Sequence, residues 1–238
     1  DRGVTATIVD VEANVGPGLP RIQIVGLADT AISESRDRMK TAVANSQLHW
    51  PKTKVVVSLS PASMPKAGSH FDVAMCLAIL TASSTDPLVR QRLSETVLLG
   101  EVGLDGSLRP VAGVLPVLMA ARRAGLRRVI VPQGNAAEAA LIDVPVDQKL
   151  GTPQMSVLAA RSLAQIMGWV NDLVELPSAV SVAEAQGTGA SESAAVPDMA
   201  DVCGQPEARW AAEVAAAGGH HMMMVGPPGT GKSMIAAR

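Results

Sequence analysis

One short loop near the end of the chain constrains the fold more than any other feature. Residues Gly226, Pro227, Pro228, Gly229, Thr230, Gly231, Lys232 and Ser233 match the spacing G-x-x-x-x-G-K-[ST] in full. The apolar stretch HMMMV precedes the match, and the helix-forming run SMIAAR follows it. A strand, a glycine loop and a helix in this order form a nucleotide-binding P-loop, in which backbone N–H groups and the helix dipole hold the phosphates.

The P-loop motif predicts ATP and Mg²⁺ as cofactors. Lys232 is expected to reach the β- and γ-phosphates, and the Ser233 hydroxyl is expected to bind Mg²⁺. Hydrolysis also needs an acidic residue on a second strand, a group that orients water and an arginine finger. These are expected beyond Arg238, so no catalytic residue is assigned in this chain, which by itself is not expected to hydrolyse ATP.

Composition and charge limit the classes of partner. Apolar residues make up 47% of the 238 residues, but aromatic residues only 2%, so Val, Leu, Ile, Ala and Met must fill the core. The net charge of −2 gives no overall basic field for nucleic acid. A nucleic-acid contact would need a local patch, and the candidates are Arg122, Arg123, Arg127 and Arg128. The alternative is a solvated helix end whose arginines offset the helix dipole.

The chain carries no sign of secretion or of membrane insertion. No charged and then apolar leader opens it, and its apolar runs are too short to cross a bilayer. Cys76 and Cys203 are far apart and suggest neither a disulfide framework nor a metal site. We therefore expect a cytoplasmic protein without a membrane partner.

Three zones are predicted along the chain. Residues 1–175 alternate strand-like and helix-like patterns and indicate a mixed α/β domain. Residues 176–199 are rich in small, polar and acidic residues and are predicted to be a flexible linker. Residues 200–238 are predicted to begin a second domain with a helix, the strand HMMMV and the P-loop.

Within the first zone, several elements are predicted individually. VTATIVDVEANV and RIQIVGL, joined by the turn GPGLP, predict a β-hairpin. Asp29 or Thr30 is expected to cap a helix that buries Ile32, Met39, Ala42 and Val43. Asp72 is expected to cap the buried helix FDVAMCLAILTAS.

The second half of the zone is predicted in the same way. A turn is expected at Asp105-Gly106, and Gly125 is expected to end the helix VAGVLPVLMAARRAG. A strand is expected at LRRVIVP, and a last helix at Val157–Asp172.

With these motifs in view, the chain resembles the magnesium-chelatase-like AAA+ family typified by the competence protein ComM, also called the YifB family. The resemblance covers essentially the whole chain. Its specific segments include GLPRIQIVGLADTAISESRDRMKTAVANS, SLSPASMPKAGSHFDVAMCLAIL and DVCGQPEARWAAEVAAAGGHHMMMVGPPGTGKS. It implies a Lon-protease-like domain of the ribosomal protein S5 domain 2-like fold, followed by an AAA+ motor. It also implies a hexameric ring that drives branch migration of DNA in recombination and transformation.

A Lon-like domain raises the question of peptidase activity, because Lon cuts peptides with a Ser–Lys dyad. The run Pro65-Lys66-Ala67-Gly68-Ser69-His70 places His70 where Lon-type sequences have the serine. The run Pro110-Val111-Ala112-Gly113-Val114-Leu115 places Leu115 where they have the lysine. Ser69 is one residue out of register, and Lys66 is a candidate for a displaced base. An unactivated serine is a poor nucleophile, so the domain is predicted to be proteolytically inactive.

Three functions remain open at this stage. The first is a DNA-remodelling AAA+ ATPase with the Lon-like domain as an accessory platform. The second is an ATPase subunit for metal chelation, although the resemblance implies that such subunits lack a Lon-like N-terminal domain. The third, for this chain alone, is a non-catalytic domain for oligomerisation or partner docking.

Overall fold

The computed structural model describes residues 6–142, 155–187, 198–227 and 229–236. The chain divides into two compact units, Asp1–Gln186 and Gly187–Arg238. The first unit has the predicted mixed α/β architecture, with two three-stranded sheets and one two-stranded sheet in its described residues.

The first sheet has its strands in the order Asp10–Gly16, Lys54–Ser60 and Arg21–Val25. These are β1 (Asp10–Gly16), β2 (Arg21–Val25) and β3 (Lys54–Ser60). β3 pairs antiparallel with β1 and parallel with β2, so the predicted hairpin of β1 and β2 is wrong. The most apolar strand takes the central place, with Val55, Val57 and Leu59 buried, while β1 and β2 alternate between exposed and half-buried residues. Gly16 and Arg21 both lie opposite Lys54, so residues 17–20 cross the end of β3 instead of forming a tight turn.

Two helices lie next in the chain, α1 (Thr30–Asn45) and α2 (Asp72–Thr81). Asp29 caps α1 by accepting a hydrogen bond of 2.9 Å from the Ile32 N–H, as predicted. The predicted buried face of α1 is also confirmed, because Ile32, Met39, Ala42 and Val43 are fully buried. The last turn before α2 is a 3₁₀ turn at Ser69–Phe71.

The second sheet is parallel throughout, with its strands in the order Thr96–Leu98, Arg128–Pro132 and Ser156–Ala160. Between and around its strands lie a two-stranded sheet and four helices. The elements are α3 (Pro87–Ser94), β4 (Thr96–Leu98), β5 (Glu101–Val102), β6 (Leu108–Arg109), α4 (Val114–Arg123), β7 (Arg128–Pro132), α5 (Ala136–Ala140), β8 (Ser156–Ala160) and α6 (Leu163–Val170). The turn at Asp105-Gly106 joins β5 to β6, and Gly125 follows α4 with a φ of +71°, as expected for a residue that ends a helix.

The predicted helix over Val157–Asp172 is wrong in its first part. Ser156–Ala160 forms strand β8 beside β7, and Ser162 starts α6 by accepting a hydrogen bond of 3.3 Å from the Gln165 N–H. A short apolar run is compatible with either structure, and pairing with β7 decides for the strand.

The first unit has two cores. One contains Ile32, Leu59, Met75 and Ile166 between the first sheet and helices α1, α2 and α6. The other contains Leu118, Val129, Val131 and Val157 around the second sheet. Aliphatic residues dominate both, as the composition requires.

The predicted linker over 176–199 begins with ordered structure. Helix α7 (Ala179–Gly187) lies there, with Ala179 and Val182 buried in the second core. The Ala159 N–H also donates to the Pro177 carbonyl at 2.9 Å, so this stretch packs on the first unit. Of the described residues of this helix, only Ala179 and Val182 are buried in the second core. Two apolar positions three residues apart do not form a periodic pattern long enough to predict a helix from the sequence.

The second unit contains a 3₁₀ turn at Met199–Asp201, α8 (Pro206–Gly218) and α9 (Lys232–Ala236). The predicted strand HMMMV is not a strand in the described residues, and Met223 and Val225 are 85% and 84% exposed. A strand needs a hydrogen-bonded neighbour, and the described part of this unit offers none. Across the described ranges, every helix is too short or too polar to cross a lipid bilayer.

Candidate functional site

The P-loop lies in the second unit, directly before α9, which begins at Lys232. Gly229 has a φ of +86° and Gly231 a φ of +78°, backbone conformations that favour glycine over residues with a Cβ atom. Nothing lies within 4 Å of a Cβ placed on Gly229, so the backbone is open on that side. Pro228 lies outside the described residues.

The Lys232 ammonium group lies against the oxygen atoms of its own loop. Its Nζ donates to the Gly226 carbonyl at 2.8 Å, the Pro227 carbonyl at 2.7 Å and Thr230 Oγ1 at 3.3 Å. Thr230 Oγ1 in turn donates to the Pro227 carbonyl at 2.9 Å. The loop therefore curves around a positive charge, and Ser233 lies exposed beside it.

This arrangement fits a nucleoside triphosphate with Mg²⁺. A phosphate needs bare backbone N–H groups and a cation, and the glycines and Lys232 place both on one short loop. Neutral carbonyls are weaker partners for an ammonium group than phosphate oxygens, so Lys232 can exchange one set for the other. The hydroxyl of Ser233 follows the lysine directly and is the residue of the loop that would hold Mg²⁺.

One contact of the loop was not predicted. Gln205 Nε2 donates to the Thr230 carbonyl at 2.9 Å, although 25 residues separate the two. Gln205 also has a φ of +52°, which is uncommon for a residue other than glycine. The sequence Gly204-Gln205-Pro206 signals a turn before a helix, but it does not reveal which carbonyl the side chain reaches.

The two residues at the Lon dyad positions, His70 and Leu115, do not form a pair of nucleophile and general base. His70 is half-buried and packs on the Phe71 ring with a centroid distance of 4.2 Å, and burial lowers the pKa of His70. Leu115 lies in the first turn of α4, where its N–H donates to Glu138 Oε1 at 3.3 Å. An aliphatic side chain at this place cannot accept a proton.

Ser69 and Lys66 are each engaged with other partners. Ser69 Oγ donates to Glu101 Oε2, and Glu101 Oε1 lies 3.9 Å from Arg109 Nη1. Lys66 is only 2% exposed, and its Nζ donates to the Pro61 carbonyl. Lys66 therefore does not serve Ser69 as a base in this arrangement.

The predicted cap of α2 by Asp72 is wrong. Asp72 is the first residue of α2, and no side chain caps the helix by a hydrogen bond. Its Oδ2 instead accepts from Arg38 Nε at 2.9 Å and from the Val102 N–H at 3.2 Å. Burial raises the pKa of Asp72 to about 6, against the opposing effect of the Arg38 charge. The full positive charge of Arg38 attracts the buried Asp72 carboxylate more strongly than the N-terminus of α2 does, because the N-terminus carries only a partial charge.

The four candidate arginines for nucleic acid divide into two pairs. Arg127 Nε and Arg128 Nη2 share Glu95 Oε2, at 3.8 Å and 3.1 Å. The Arg128 guanidinium also lies 5.7 Å from the centre of the Trp169 ring. Arg122 and Arg123 are exposed in the last turn of α4, and neither has a salt bridge among the described residues. Of the four candidates, only this second pair is free of salt bridges among the described residues, and its contact with nucleic acid stays a prediction.

Comparisons with known proteins give consistent results. The family described as "Subunit ChlI of Mg-chelatase" matches residues 11–135, and "Magnesium chelatase, subunit ChlI" matches residues 198–238. An uncharacterized protein of Mycobacterium tuberculosis is 44% identical over 237 residues, which cover 100% of this chain and 44% of that protein. Competence protein ComM of Haemophilus influenzae is 34% identical over 236 residues, 99% of this chain and 44% of ComM. YifB of Escherichia coli is 34% identical over 236 residues, 99% of this chain and 43% of YifB.

A weaker similarity extends to proteases. Lon protease 2 of Thermus thermophilus is 30% identical over 154 residues, 62% of this chain and 19% of that protease.

The chain spans less than half the length of the uncharacterized mycobacterial protein, ComM and YifB.

Proposed function

Because the chain belongs to the magnesium-chelatase-like family of ComM and YifB type, we propose that it is the ATP-binding N-terminal part of an AAA+ ATPase that remodels DNA. The observation that carries the proposal is the position of the Lys232 ammonium group inside the loop Gly226–Ser233. A cation beside the backbone N–H groups of a glycine loop is the arrangement that a triphosphate needs.

The residues of the loop would divide the work of binding. The backbone N–H groups around Gly229 and Gly231 would hold the phosphates, and Lys232 would move from its carbonyl partners to the β- and γ-phosphates. Ser233 would hold Mg²⁺ beside them. Bound ATP would supply the free energy of its hydrolysis, and the groups that orient the attacking water and stabilise the transferred phosphoryl group are proposed to lie beyond Arg238.

The first unit is proposed to be a Lon-like domain of the S5 domain 2 type that has lost its peptidase chemistry. The similarity to Lon protease 2 and the mixed α/β architecture support the fold. His70 and Leu115 at the dyad positions, with Ser69 bound to Glu101 and Lys66 to Pro61, support the loss of activity. A non-catalytic role in oligomerisation or partner docking remains for this unit.

The action on DNA rests on the ComM relationship. The name of competence protein ComM connects that relative with competence, and the family resemblance implies a hexameric ring that drives branch migration. Arg122 and Arg123 are the proposed contacts to DNA phosphates. A cytoplasmic location is part of the proposal, because Cys76 and Cys203 are free thiols and ATP is the proposed ligand.

An ATPase assay on the full-length protein tests the proposal. Turnover should rise when branched or single-stranded DNA is added, and Lys232→Ala should abolish both the basal and the stimulated rate. The Arg122→Ala/Arg123→Ala double variant should keep the basal rate and weaken the stimulation. Its matched control is Arg127→Ala, which removes an arginine that is already paired with Glu95. Full activity of Lys232→Ala would refute the assignment of the P-loop.

Metal chelation is the second candidate, and one observation favours it: both matching family models describe a magnesium-chelatase subunit. The same assay separates the two functions. Stimulation by a porphyrin with Mg²⁺, without any response to DNA, would support chelation and reject the action on DNA.

A further inference from the structure

The side chain of Gln205 spans the second unit from the start of α8 to the P-loop. Its Nε2 donates to the Thr230 carbonyl at 2.9 Å. A carbonyl oxygen can only accept a hydrogen bond, so the amide must present its NH₂ group there. A Cβ atom on Gly231 would lie 3.4 Å from the same Nε2, so the amide lies against the peptide that joins Thr230 to Gly231.

The backbone at Gln205 is in a conformation that is disfavoured both by its own side chain and by the proline that follows it. It has φ +52° and ψ +51°, the left-handed region, and Gly204 before it has φ +77°. Residues with a Cβ atom rarely adopt this region, and Pro206 further restricts the residue before it. The Gln205 side chain is exposed, so burial in a core does not compensate for the strain. Backbone strain of this kind persists where surrounding contacts hold it, and it is frequent at functional sites.

The contact has a direct consequence for the loop, because a peptide unit is planar and trans. The Thr230 carbonyl and the Gly231 N–H belong to one such unit and point in opposite directions. Holding the oxygen from the side of Gln205 therefore fixes the direction of the Gly231 N–H, away from Gln205. Gly231 has a φ of +78° and no side chain, so without this contact the peptide unit can rotate easily.

We propose that Gln205 is a positioning residue of the nucleotide site, which orients the Gly231 N–H for a phosphate by holding the Thr230 carbonyl. This inference rests on the proposed function, since it assumes that the P-loop binds nucleotide. The strained backbone places the amide within reach of the loop, and the hydrogen bond sets the loop before nucleotide arrives. Preorganised N–H groups bind more tightly than groups that must first be ordered.

Two substitutions separate this role from a merely structural one. Gln205→Gly removes the amide and relieves the backbone strain, and Gln205→Asn keeps the amide but is one methylene too short to reach Thr230. The matched control is Gln47, which is also exposed and has a φ of +59°, but lies in the first unit. Gln47→Gly and Gln47→Asn therefore change the same residue type in the same backbone conformation away from the P-loop.

The measurements are ATP affinity by calorimetry, stability in urea and hydrogen exchange of the loop without nucleotide, all on the full-length protein. Both Gln205 variants should bind ATP about three- to tenfold more weakly, the effect of one hydrogen bond. The peptide that contains residues 226–236 should exchange faster in both. Both Gly variants should be as stable as the wild type or more so, and both Gln47 variants should bind ATP normally.

The outcomes are distinguishable. ATP affinity and loop exchange of the wild-type level in Gln205→Gly would overturn the inference, even if Gln205→Asn does not fold. Weaker binding that appears only together with lower stability in urea would assign Gln205 a structural role and also overturn it. If the wild type itself binds no ATP, or Lys232→Ala binds it normally, the proposed function fails instead.

Discussion

Replacing Arg38 by Met should destabilise the first unit strongly, and by an amount that depends on pH. Arg38 Nη2 lies 2.8 Å from Asp72 Oδ2, and the Asp72 side chain is completely buried. Its other oxygen, Oδ1, is buried without a hydrogen-bond partner among the described residues. In Arg38→Met the carboxylate keeps only the Val102 N–H, at 3.2 Å. Leaving a buried charge without its partner in this way lowers the free energy of unfolding by about 3–5 kcal/mol.

The dependence on pH follows from the raised pKa of Asp72. Its pKa is about 6 in the folded chain and 3.8 in its ordinary state, so ionisation of Asp72 opposes folding. The stability linked to this group is complete below pH 3.8 and is lost as the pH rises through 6. Without Arg38 the pKa rises further, which extends the loss to higher pH. The cost of Arg38→Met should therefore be smaller at pH 5 than at pH 7.5, by at least about 1 kcal/mol.

Urea unfolding followed by circular dichroism at pH 5 and pH 7.5 measures both effects. Arg109→Met is the matched control, because Arg109 is 63% exposed and lies 3.9 Å from Glu101, so its loss should cost less than about 1 kcal/mol. Adding Asp72→Asn to Arg38→Met should restore part of the stability at pH 7.5, since no charge remains buried. A loss below about 1 kcal/mol, or an equal loss at both pH values, would refute the reasoning.

Three further experiments test the fold and the proposed loss of peptidase activity. Gly26→Ala should lower the free energy of unfolding, measured in urea, by more than about 2 kcal/mol, because Gly26 has a φ of +111° and the new Cβ would lie 2.1 Å from the Leu59 carbonyl oxygen. In the control, Gly125→Ala, nothing lies within 4 Å of the new Cβ, and the free energy of unfolding should fall by about 1 kcal/mol. Equal losses would contradict the steric explanation. Asp29→Ala should lower the stability by about 1–2 kcal/mol, because one oxygen caps α1 and the other accepts from the Gly68 N–H; an unchanged urea midpoint would contradict this. The chain should not cleave an unfolded protein substrate, and cleavage that disappears in Ser69→Ala would show that peptidase chemistry survives.

Features that depend on neighbours in the sequence were predictable. The Asp29 cap needs a carboxylate three residues before the N–H that it accepts from, and the α1 face repeats with the helical period. The turn at Asp105-Gly106 likewise follows from two adjacent residues. The P-loop motif is local in the same sense, because its eight residues are consecutive, and its binding of nucleotide stays a prediction.

Features that depend on distant partners were not predictable. The hairpin of β1 and β2 failed because β3, which follows α1, enters between them. The predicted cap by Asp72 failed because the guanidinium group that binds its carboxylate belongs to Arg38, 34 residues earlier. Ser156–Ala160 became a strand through pairing with β7, a contact that a short apolar run does not specify.

Residues of the candidate site show the same division. Lys232 and Ser233 were assigned from the motif, whereas the contact of Gln205 with Thr230 joins residues 25 positions apart. The four candidate arginines were grouped from the sequence alone, which does not reveal that Arg127 and Arg128 pair with Glu95, more than 30 residues earlier. Charge clusters in a sequence therefore overstate a surface patch until their acidic partners are placed.

Calorimetric titration of ATP and Mg²⁺ into the full-length protein tests the central claim most directly. We expect saturable binding to the wild type and a loss of at least about tenfold in affinity for Lys232→Ala, the effect of one charge-assisted contact to phosphate. Circular dichroism should show that Lys232→Ala is folded, since Lys232 contacts only exposed loop atoms among the described residues. No heat of binding in the wild type, or equal affinity in the two proteins, would contradict the account.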